Sequence, residues 1–553
     1  MSSSFVGKDR VLSTELDIEG NPGLLGSVYS DSSESHDVTH KTIASEKKEP
    51  FTEFNYTADD ELDDTSSGIN NQLSLKNFTF FNKIGSILNA ETKGIEPVTD
   101  DEKDDNSVLN AASMWFSANM VVASYALGVI GPLAYGLNFG TSVLTIIFFN
   151  LIGMAPVAFF SVFGAEFGLR QMVLSRFLVG NVTARIFAFI NVIACAGWGI
   201  INTIASAQLI SIVNPGPHHC PPWAGVLIII GGTIMVSLFG YRVIHTYEKY
   251  CWIPNFAVFL VIIARLARSG NFSNGPWGGG ANTAGGVLSF GSAIYGFAAG
   301  WATYASDYTV YMPRNTNKYK IFFSVSVGLT IPLLFTQILG AAAAMGTFND
   351  PVWKEYYDKY SVGGLTFAIL SIDSVGGFGQ FCCVLLALST IAINIPNMYS
   401  IALSAQSLWN PLSKVPRVFW TLLGNIAVIA IAIPAYYKFE KFLTNFMDSI
   451  SYYLAVYICI ACSEHFIWRR GFKGYNPEDW NSWDKLPIGI AGCTAFGISI
   501  IGIALGMAQS YWVGNIARLI GTDGGDIGFE LASSWAFIIY NILRPLELKY
   551  FGR

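Results

Sequence analysis

One apolar stretch of the chain carries an indole and an amide on the same helical face. In ACAGWGIINTIASAQ, residues 194–208, Trp198 and Asn202 are four positions apart, so on a helix they lie one turn apart on one side. An indole stacks on a flat ring, and an amide bonds an edge that has an adjacent donor and acceptor. The pair suits a planar ligand with a polar rim, such as a base. The alternative is that the tryptophan packs in the core and the asparagine bonds a neighbouring helix.

Two further segments could complete such a site. Trp301, next to Gly300, could supply the second face of a sandwich. In STIAINIPNMY, residues 389–399, Asn394 and Asn397 face one way at a spacing of i, i+3, and Pro396 frees a backbone carbonyl inside an apolar run. These asparagines form a candidate ligand surface, or they repair the hydrogen bonding of their own helix.

Few acidic residues fall within the apolar part of the chain. Ionisable groups there are costly and default to a functional or paired role. Glu248, in YRVIHTYEKY, is the strongest candidate, although Arg242 and Lys249 are close enough in sequence for a local salt bridge. The chain has no HExxH, GxSxG or P-loop motif. We therefore expect no enzyme activity, no metal site and no cofactor.

The elements that position these residues are apolar helices. The 553 residues are 52% hydrophobic and 13% charged, which indicates an all-α integral membrane protein embedded in the lipid bilayer. Runs of about 20 apolar residues predict transmembrane helices. Twelve are predicted, at 115–137, 140–165, 183–212, 223–242, 250–268, 289–311, 320–346, 364–408 (one helix with a preceding arm), 417–437, 443–467, 487–508 and 529–547.

The chain divides by charge. Residues 1–112 hold 22 acidic and 9 basic residues, and such a segment is predicted to be a disordered tail. Residues 113–547 form the twelve-helix domain, and residues 548–553 a short C-terminus. Loops on the side of the N-terminus carry fourteen lysines and arginines against seven on the other side, so both termini are predicted to be cytoplasmic.

Glycine interrupts two spans that lie five helices apart. The first contains Gly128, Gly131 and Pro132, and the sixth contains Gly291, Gly296 and Gly300. Paired interruptions at this spacing are typical of two inverted five-helix repeats, with ligand and ion sites between the broken helices. The alternative is that the glycines serve close helix packing.

Four segments together resemble the fungal purine–cytosine permeases of the nucleobase cation symporter-1 family. They are ALGVIGPLAYGL, GWGIIN, FAAGWATYASDYTVYMPR and INIPN, and the resemblance covers about residues 113–545. It implies a twelve-helix, five-plus-five inverted-repeat (LeuT-like) transporter in the plasma membrane. Such a symporter carries adenine, guanine, hypoxanthine and cytosine inward with protons rather than sodium, and no nucleic-acid partner is expected.

The resemblance also assigns roles to residues. Trp198 and Trp301 would sandwich the base, Asn202 and Asn394 would bond its edge, and Ser124 would line the pocket. Glu248 would serve gating or coupling. Ser389 and Thr390 occupy the positions of a cation-binding pair in sodium-coupled relatives.

Other readings stay open at this point. Ile393 stands where some members have a second asparagine, which leaves the substrate range open. A carrier of vitamin B6 or another flat heterocycle, and a nutrient receptor with little flux, are the alternatives. Lysines of the tail such as Lys41, Lys47 and Lys48 are candidate targets of ubiquitination machinery.

Overall fold

The structure is a computed structural model that describes residues 94–214, 219–238 and 247–553. All of these belong to one unit of the chain, Ser67–Arg553. Residues 1–93, with most of the predicted tail and its candidate lysines, lie outside the described part. The prediction of disorder for them therefore stays a prediction.

The last part of the predicted tail, residues 94–112, is folded, which corrects the boundary at 113. Ile95 and Val98 are buried, and the Val98 amide donates to the carbonyl of Gly168 at 2.9 Å. The Lys103 ammonium donates to the carbonyl of Ala165 at 3.1 Å. The charge count missed this segment because two apolar side chains among many acids suffice to anchor it.

Helices occupy all twelve predicted spans. We number the helices of the first six spans α1 to α8, and they are α1 Val108–Asn119 and α2 Val122–Tyr135 (span 1), α3 Phe139–Phe167 (span 2), α4 Gln171–Leu178 (a connecting helix), α5 Asn181–Ile212 (span 3), α6 Pro222–Leu238 (span 4), α7 Trp252–Ser269 (span 5) and α8 Gly280–Ala299 (span 6). Their ends carry ordinary stop signals: Gly136 and Gly168 end α2 and α3 with φ of 65°, a conformation that glycine adopts freely.

The second half repeats this pattern of long apolar helices. Its helices are α9 Lys318–Gly346 (span 7), α10 Pro351–Leu370 (an arm), α11 Gly377–Leu408 (span 8), α12 Arg417–Ala435 (span 9), α13 Phe439–Ser463 (span 10), α14 Ile490–Gly506 (span 11) and α15 Gly528–Phe551 (span 12). A two-residue strand pair, β1 Ala508–Gln509 and β2 Trp512–Val513, joins the last two spans. Within the described residues, six helices are long and apolar enough to cross a membrane alone, and the bent pair of span 1 makes a seventh.

Span 1 is broken, but earlier than its glycines predict. The bend of 54° separates α1 from α2 at Met120 and Val121, where Val121 has extended backbone angles. Gly128, Gly131 and Pro132 lie inside the continuous helix α2. The prediction placed the break at the residues with the weakest helix propensity. At the observed break, the backbone amide of Val122 bonds a side chain of another span, described below.

Gly128 serves close packing instead. A Cβ at this position would lie 1.9 Å from the backbone oxygen of Gln337 on α9. One turn away the relation is reversed, since a Cβ on Gly340 of α9 would lie 2.1 Å from the oxygen of Tyr125. Spans 1 and 7 therefore approach to backbone contact, which only glycine permits.

Span 6 breaks where the sequence predicts. Helix α8 ends at Ala299, and two short 3₁₀ turns follow, Gly300–Thr303 and Ala305–Tyr308. Tyr304 between them leaves helical geometry, with φ of −147° and ψ of 20°. Breaks in spans 1 and 6 expose backbone groups in the middle of the bundle, where a ligand or a side chain can meet them.

Replacing Gly128 by alanine tests the backbone contact between spans 1 and 7. Overpacking of this kind costs about 1–3 kcal/mol, so Gly128→Ala should lower the thermal unfolding midpoint of the purified protein. Gly231→Ala is the matched control, because a Cβ there meets nothing within 4 Å. Equal midpoints for the two variants would contradict the contact.

Candidate functional site

A small cavity lies where the break in span 6 meets spans 3 and 8. Its volume is about 10 Å³, room for roughly one water molecule. Its lining residues come from spans 3, 6 and 8, and they are Trp198, Phe297, Gly300, Trp301, Tyr304, Ile393 and Asn397. The sequence predicted both tryptophans and singled out Asn397, but Phe297 and Tyr304 were missed.

Trp198 is fixed by aromatic neighbours on two other helices. Its ring meets Phe297 of α8 and Phe446 of α13 edge-on, with ring centroids 5.2 Å and 5.4 Å away. Gly300 makes room for the indole, because a Cβ there would lie 2.8 Å from Cζ2 of Trp198. The glycine at the break of span 6 is thus also what admits the aromatic wall of the cavity.

Trp301 forms another part of the wall, immediately after the break. Its ring packs edge-on against Trp115 at 4.9 Å and Tyr304 at 5.5 Å, and only 3% of Trp301 is exposed. The structure therefore brings the two predicted tryptophans to one cavity. Their role as the two faces of a sandwich stays a prediction.

The two amides predicted to bond a ligand bond each other. Asn202 Nδ2 donates to Asn394 Oδ1 at 3.1 Å, and Asn394 Nδ2 donates to Thr203 Oγ1 at 3.3 Å. Both asparagines are fully buried, and neither lines the cavity. They link span 3 to span 8 directly beside Ile393, so they support the wall rather than form it.

Asn397 is the amide that reaches the cavity. Its Oδ1 accepts a hydrogen bond from the Tyr304 hydroxyl at 3.1 Å, while its Nδ2 has no partner among the described residues. An unpaired buried donor is costly, so this amide nitrogen is available to bond an acceptor placed in the cavity. The i, i+3 spacing from Asn394 was the signal that identified it.

Ser124 lies on α2, fully buried, with no hydrogen-bond partner for its hydroxyl among the described residues. It is not one of the cavity-lining residues. Its predicted contact with a ligand therefore requires a wider cavity than the one present.

Ser389 and Thr390 connect span 8 to two other spans. Ser389 Oγ accepts from the amide of Val122, the first residue of α2 after the break in span 1, at 3.2 Å. Thr390 Oγ1 lies 2.6 Å from Ser206 Oγ on span 3. The hydroxyl of Ser389 thus supplies a partner for one backbone amide that the break of span 1 leaves without an intrahelical bond.

Glu248 lies apart from the cavity. It is buried, and Ser117 of α1 donates a hydrogen bond to its backbone carbonyl. This contact ties the start of span 5 to the first half of span 1. Trp115, which packs on Trp301, lies two residues before Ser117 on the same helix.

A second, larger cavity, which we call the vestibule, opens on the face where α2 ends and α8 begins. Its volume is about 1140 Å³, and Tyr135, Gln208, Ser289, Asp448 and Gln509 are among its lining residues. Ten residues of helix α5 separate Gln208 from Trp198, about 15 Å. Phe446 packs on Trp198, and its neighbour Asn445 lines the vestibule. The segment of α13 that contains Asn445 and Phe446 thus connects the wall of the vestibule to Trp198.

Comparison with known proteins identifies the family of the chain. Residues 97–514 fit the family model described as permease for cytosine/purines, uracil, thiamine, allantoin. The purine-cytosine permease FCY2 of Saccharomyces cerevisiae is 66% identical over 93% of this chain and 96% of its own. The vitamin B6 transporter TPN1 of the same yeast is 28% identical, over 84% of this chain and 89% of its own.

The fold has solved counterparts. The structure of Mhp1, a nucleobase-cation-symport-1 family transporter, superposes with a TM-score of 0.62 at 12% identity, over 83% of this chain and 96% of that one. The predicted fold class, a LeuT-like transporter with a five-plus-five inverted repeat, is confirmed by this likeness. The prediction of a transporter rather than an enzyme is confirmed by the family.

A double-mutant cycle tests the bond between Asn202 and Asn394. Each single replacement by alanine removes one partner of this bond and leaves a buried polar atom of the other amide unpaired, so each should lower the thermal midpoint of the purified protein. The double variant should lose less than the sum, with a coupling energy of about 1 kcal/mol. Asn425→Ala on α12 is the control for a buried asparagine that bonds its own helix. Additive effects for the pair would contradict the bond.

Proposed function

The chain belongs to the family of permeases for cytosine and purines, and we propose that it imports adenine, guanine, hypoxanthine and cytosine across the plasma membrane. One observation supports this most strongly, namely that Trp198 and Trp301 line one cavity with Asn397, whose amide nitrogen has no partner among the described residues. Every base has two flat faces for stacking and a rim of hydrogen-bonding atoms. The Asn397 amide would distinguish the bases by the hydrogen-bonding atoms on their edges. The two indoles would stack on the ring of any of them.

Binding requires the small cavity to widen, because about 10 Å³ cannot contain a base. The side chains to move are those that pack on Trp198, namely Phe297 and Phe446. Widening also brings Ser124 and the Asn202–Asn394 pair closer to the ligand. We propose that these residues bond the base in the substrate-bound state, as their motif positions imply.

Transport is proposed to be coupled to protons rather than sodium. Ser389 donates to the carbonyl of Leu386 at 2.5 Å and caps Val122, and Thr390 bonds Ser206. Both hydroxyls already have protein partners, which favours structural roles over a cation site. Glu248 is proposed as a gating residue, since its contact with Ser117 controls how the first half of span 1 sits against span 5.

The basic loops favour an orientation with both termini in the cytoplasm. In this orientation the vestibule faces the outside and Glu248 lies toward the cytoplasm. The acidic N-terminal tail is then available to cytoplasmic ubiquitination machinery. We propose that this tail sets the surface lifetime of the permease and not its rate of transport.

A vitamin B6 carrier is the second candidate, supported by the relative that is 28% identical. Uptake of radiolabelled adenine, cytosine and pyridoxine, in cells that lack their own permeases, separates the candidates. The proposal expects saturable uptake of the two bases and weak uptake of pyridoxine. A chain that reaches the surface but moves only pyridoxine, or nothing, would overturn it.

The two tryptophans give a sharper test. Loss of base stacking costs about 1–3 kcal/mol, so Trp198→Ala and Trp301→Ala should each raise the competition constant for adenine about tenfold to a hundredfold. Phenylalanine at either position should cost less, because it keeps an aromatic face. Trp409→Ala, at a residue that is 62% exposed, is the control. Unchanged constants in surface-normalised cells for both alanine variants would exclude the proposed site.

The orientation is tested by an epitope at the N-terminus. It should be stained only after cells are permeabilised, while an epitope inserted in the loop after Gly270 should be stained on intact cells. That loop lies on the vestibule face and is exposed at Gly270. Staining in the reverse order would invert the assignment of inside and outside.

A further inference from the structure

Two buried carboxylates face each other at the wall of the vestibule. Asp448 lies on α13, 3% exposed, and Asp526 lies in the loop before α15, fully buried. They share one amide donor, since Gln509 Nε2 bonds Asp448 Oδ2 at 3.0 Å and Asp526 Oδ2 at 3.2 Å. We call this group the carboxylate pair. No role proposed so far uses it.

The rest of the hydrogen bonding is unequal between the two. Asp526 accepts from the amides of Ala508 and Gly528 at 2.8 Å and 2.9 Å and from the hydroxyl of Tyr452. Asp448 Oδ1 has no hydrogen-bond partner among the described residues, and neither has Gln509 Oε1. Asp448 and Gln509 are each more than nine-tenths buried, and both line the vestibule. The Asp448 carboxylate therefore has one buried oxygen that bonds neither Gln509 nor Asp526 and is open to a proton.

The groups around the pair do not neutralise it. Tyr135 of span 1 and Ser292 of span 6 face Asp448, Tyr452 lies on its own helix, and Glu530 of span 12 lies near Asp526. Across residues 94–214, 219–238 and 247–553, none of the ion pairs involves Asp448 or Asp526. Two neighbouring carboxylates without a cation repel, and a proton shared between them removes the repulsion. A metal ion fits less well because the amide nitrogen of Gln509 stands between them.

We propose that Asp448, together with Asp526, is the proton-binding site of this permease, loaded from the vestibule. Hydronium in the vestibule transfers its proton to a carboxylate oxygen and becomes water, which leaves the pair with one negative charge in place of two. This inference rests on the proposed transport of bases. It supplies the residues for proton coupling, which that proposal leaves unassigned.

The carboxylate pair is connected to the small cavity through helix α13. Asp448 follows Phe446 by two residues on α13, and the ring of Phe446 packs on Trp198. A Cβ on Gly296 of α8 would lie 2.4 Å from the carbonyl oxygen of Met447, and Ser292 Oγ lies 2.8 Å from Ser451 Oγ. The helix that carries Asp448 thus touches both the cavity wall and the broken span 6. Repulsion from Asp526 would push this helix away, and loading a proton would allow it to close over Trp198.

The test replaces each carboxyl by its neutral amide. Asp448→Asn and Asp526→Asn mimic the protonated state, so uptake by these variants should lose its dependence on external pH. Proton influx when nucleobase is added to the cells should also be lost. Exchange of labelled base between preloaded cells and medium needs no net proton movement and should persist. Asp523→Asn is the control, because Asp523 is an exposed vestibule residue three positions before Asp526.

Each outcome decides the inference. Wild-type pH dependence and proton influx in both variants would overturn it, while uptake by the wild-type chain would leave the proposed function standing. Loss of exchange at normal surface level would also overturn it, since the carboxylates would then be structural. Loss of wild-type uptake when choline replaces sodium at constant pH would do the same. Absence of any base uptake by the wild-type chain would instead remove the proposed function.

Discussion

The arrangement depends on how two broken helices are kept stable in apolar surroundings. In lipid or in a packed bundle, each free backbone group must find a partner. In span 1 the amide of Val122 bonds the hydroxyl of Ser389. In span 6 the chain turns through two 3₁₀ segments, and Thr303 anchors them by donating to Asn191 Oδ1 at 2.7 Å. Both partners come from spans 3 and 8, which makes that pair of helices the frame of the site.

Side-chain hydrogen bonds run along the contact between spans 3 and 8. Asn202 bonds Asn394, Thr390 bonds Ser206, and Asn191 donates to Ser400 and Ser404 at 3.0 Å and 2.8 Å. Helix association in membranes gains from such hydrogen bonds because lipid offers no hydrophobic driving force between helices. The bonds hold one wall of the small cavity in place while the aromatic side chains of spans 6 and 10 close it. Stable polar contacts on one side and adaptable ring contacts on the other suit a site that must open and close around a flat ligand.

The sequence predicted the helices better than their interruptions. Helices lie at all twelve spans predicted from apolar length, and the arm before span 8 followed from a run too long for one crossing. The break at Gly300 was predicted because glycine weakens a helix, but the break at Met120 carries no such signal and depends on Ser389, far away in sequence. Trp198, Trp301 and Asn397 could be found from type and spacing. Phe446 and the carboxylate pair could not, because their meaning comes from side chains brought together by packing.

Direct observation of a bound base tests the central claim, that Trp198 and Trp301 form the walls of the substrate site. The measurement is an electron cryo-microscopy map of the purified full-length permease with saturating adenine, compared with a map of the same preparation without it. Our account predicts flat density between the two indoles, with its edge within hydrogen-bonding distance of Asn397 Nδ2 and Phe446 displaced from its contact with Trp198. Adenine density confined to the vestibule, with the two indoles packed as they are now, would contradict the account.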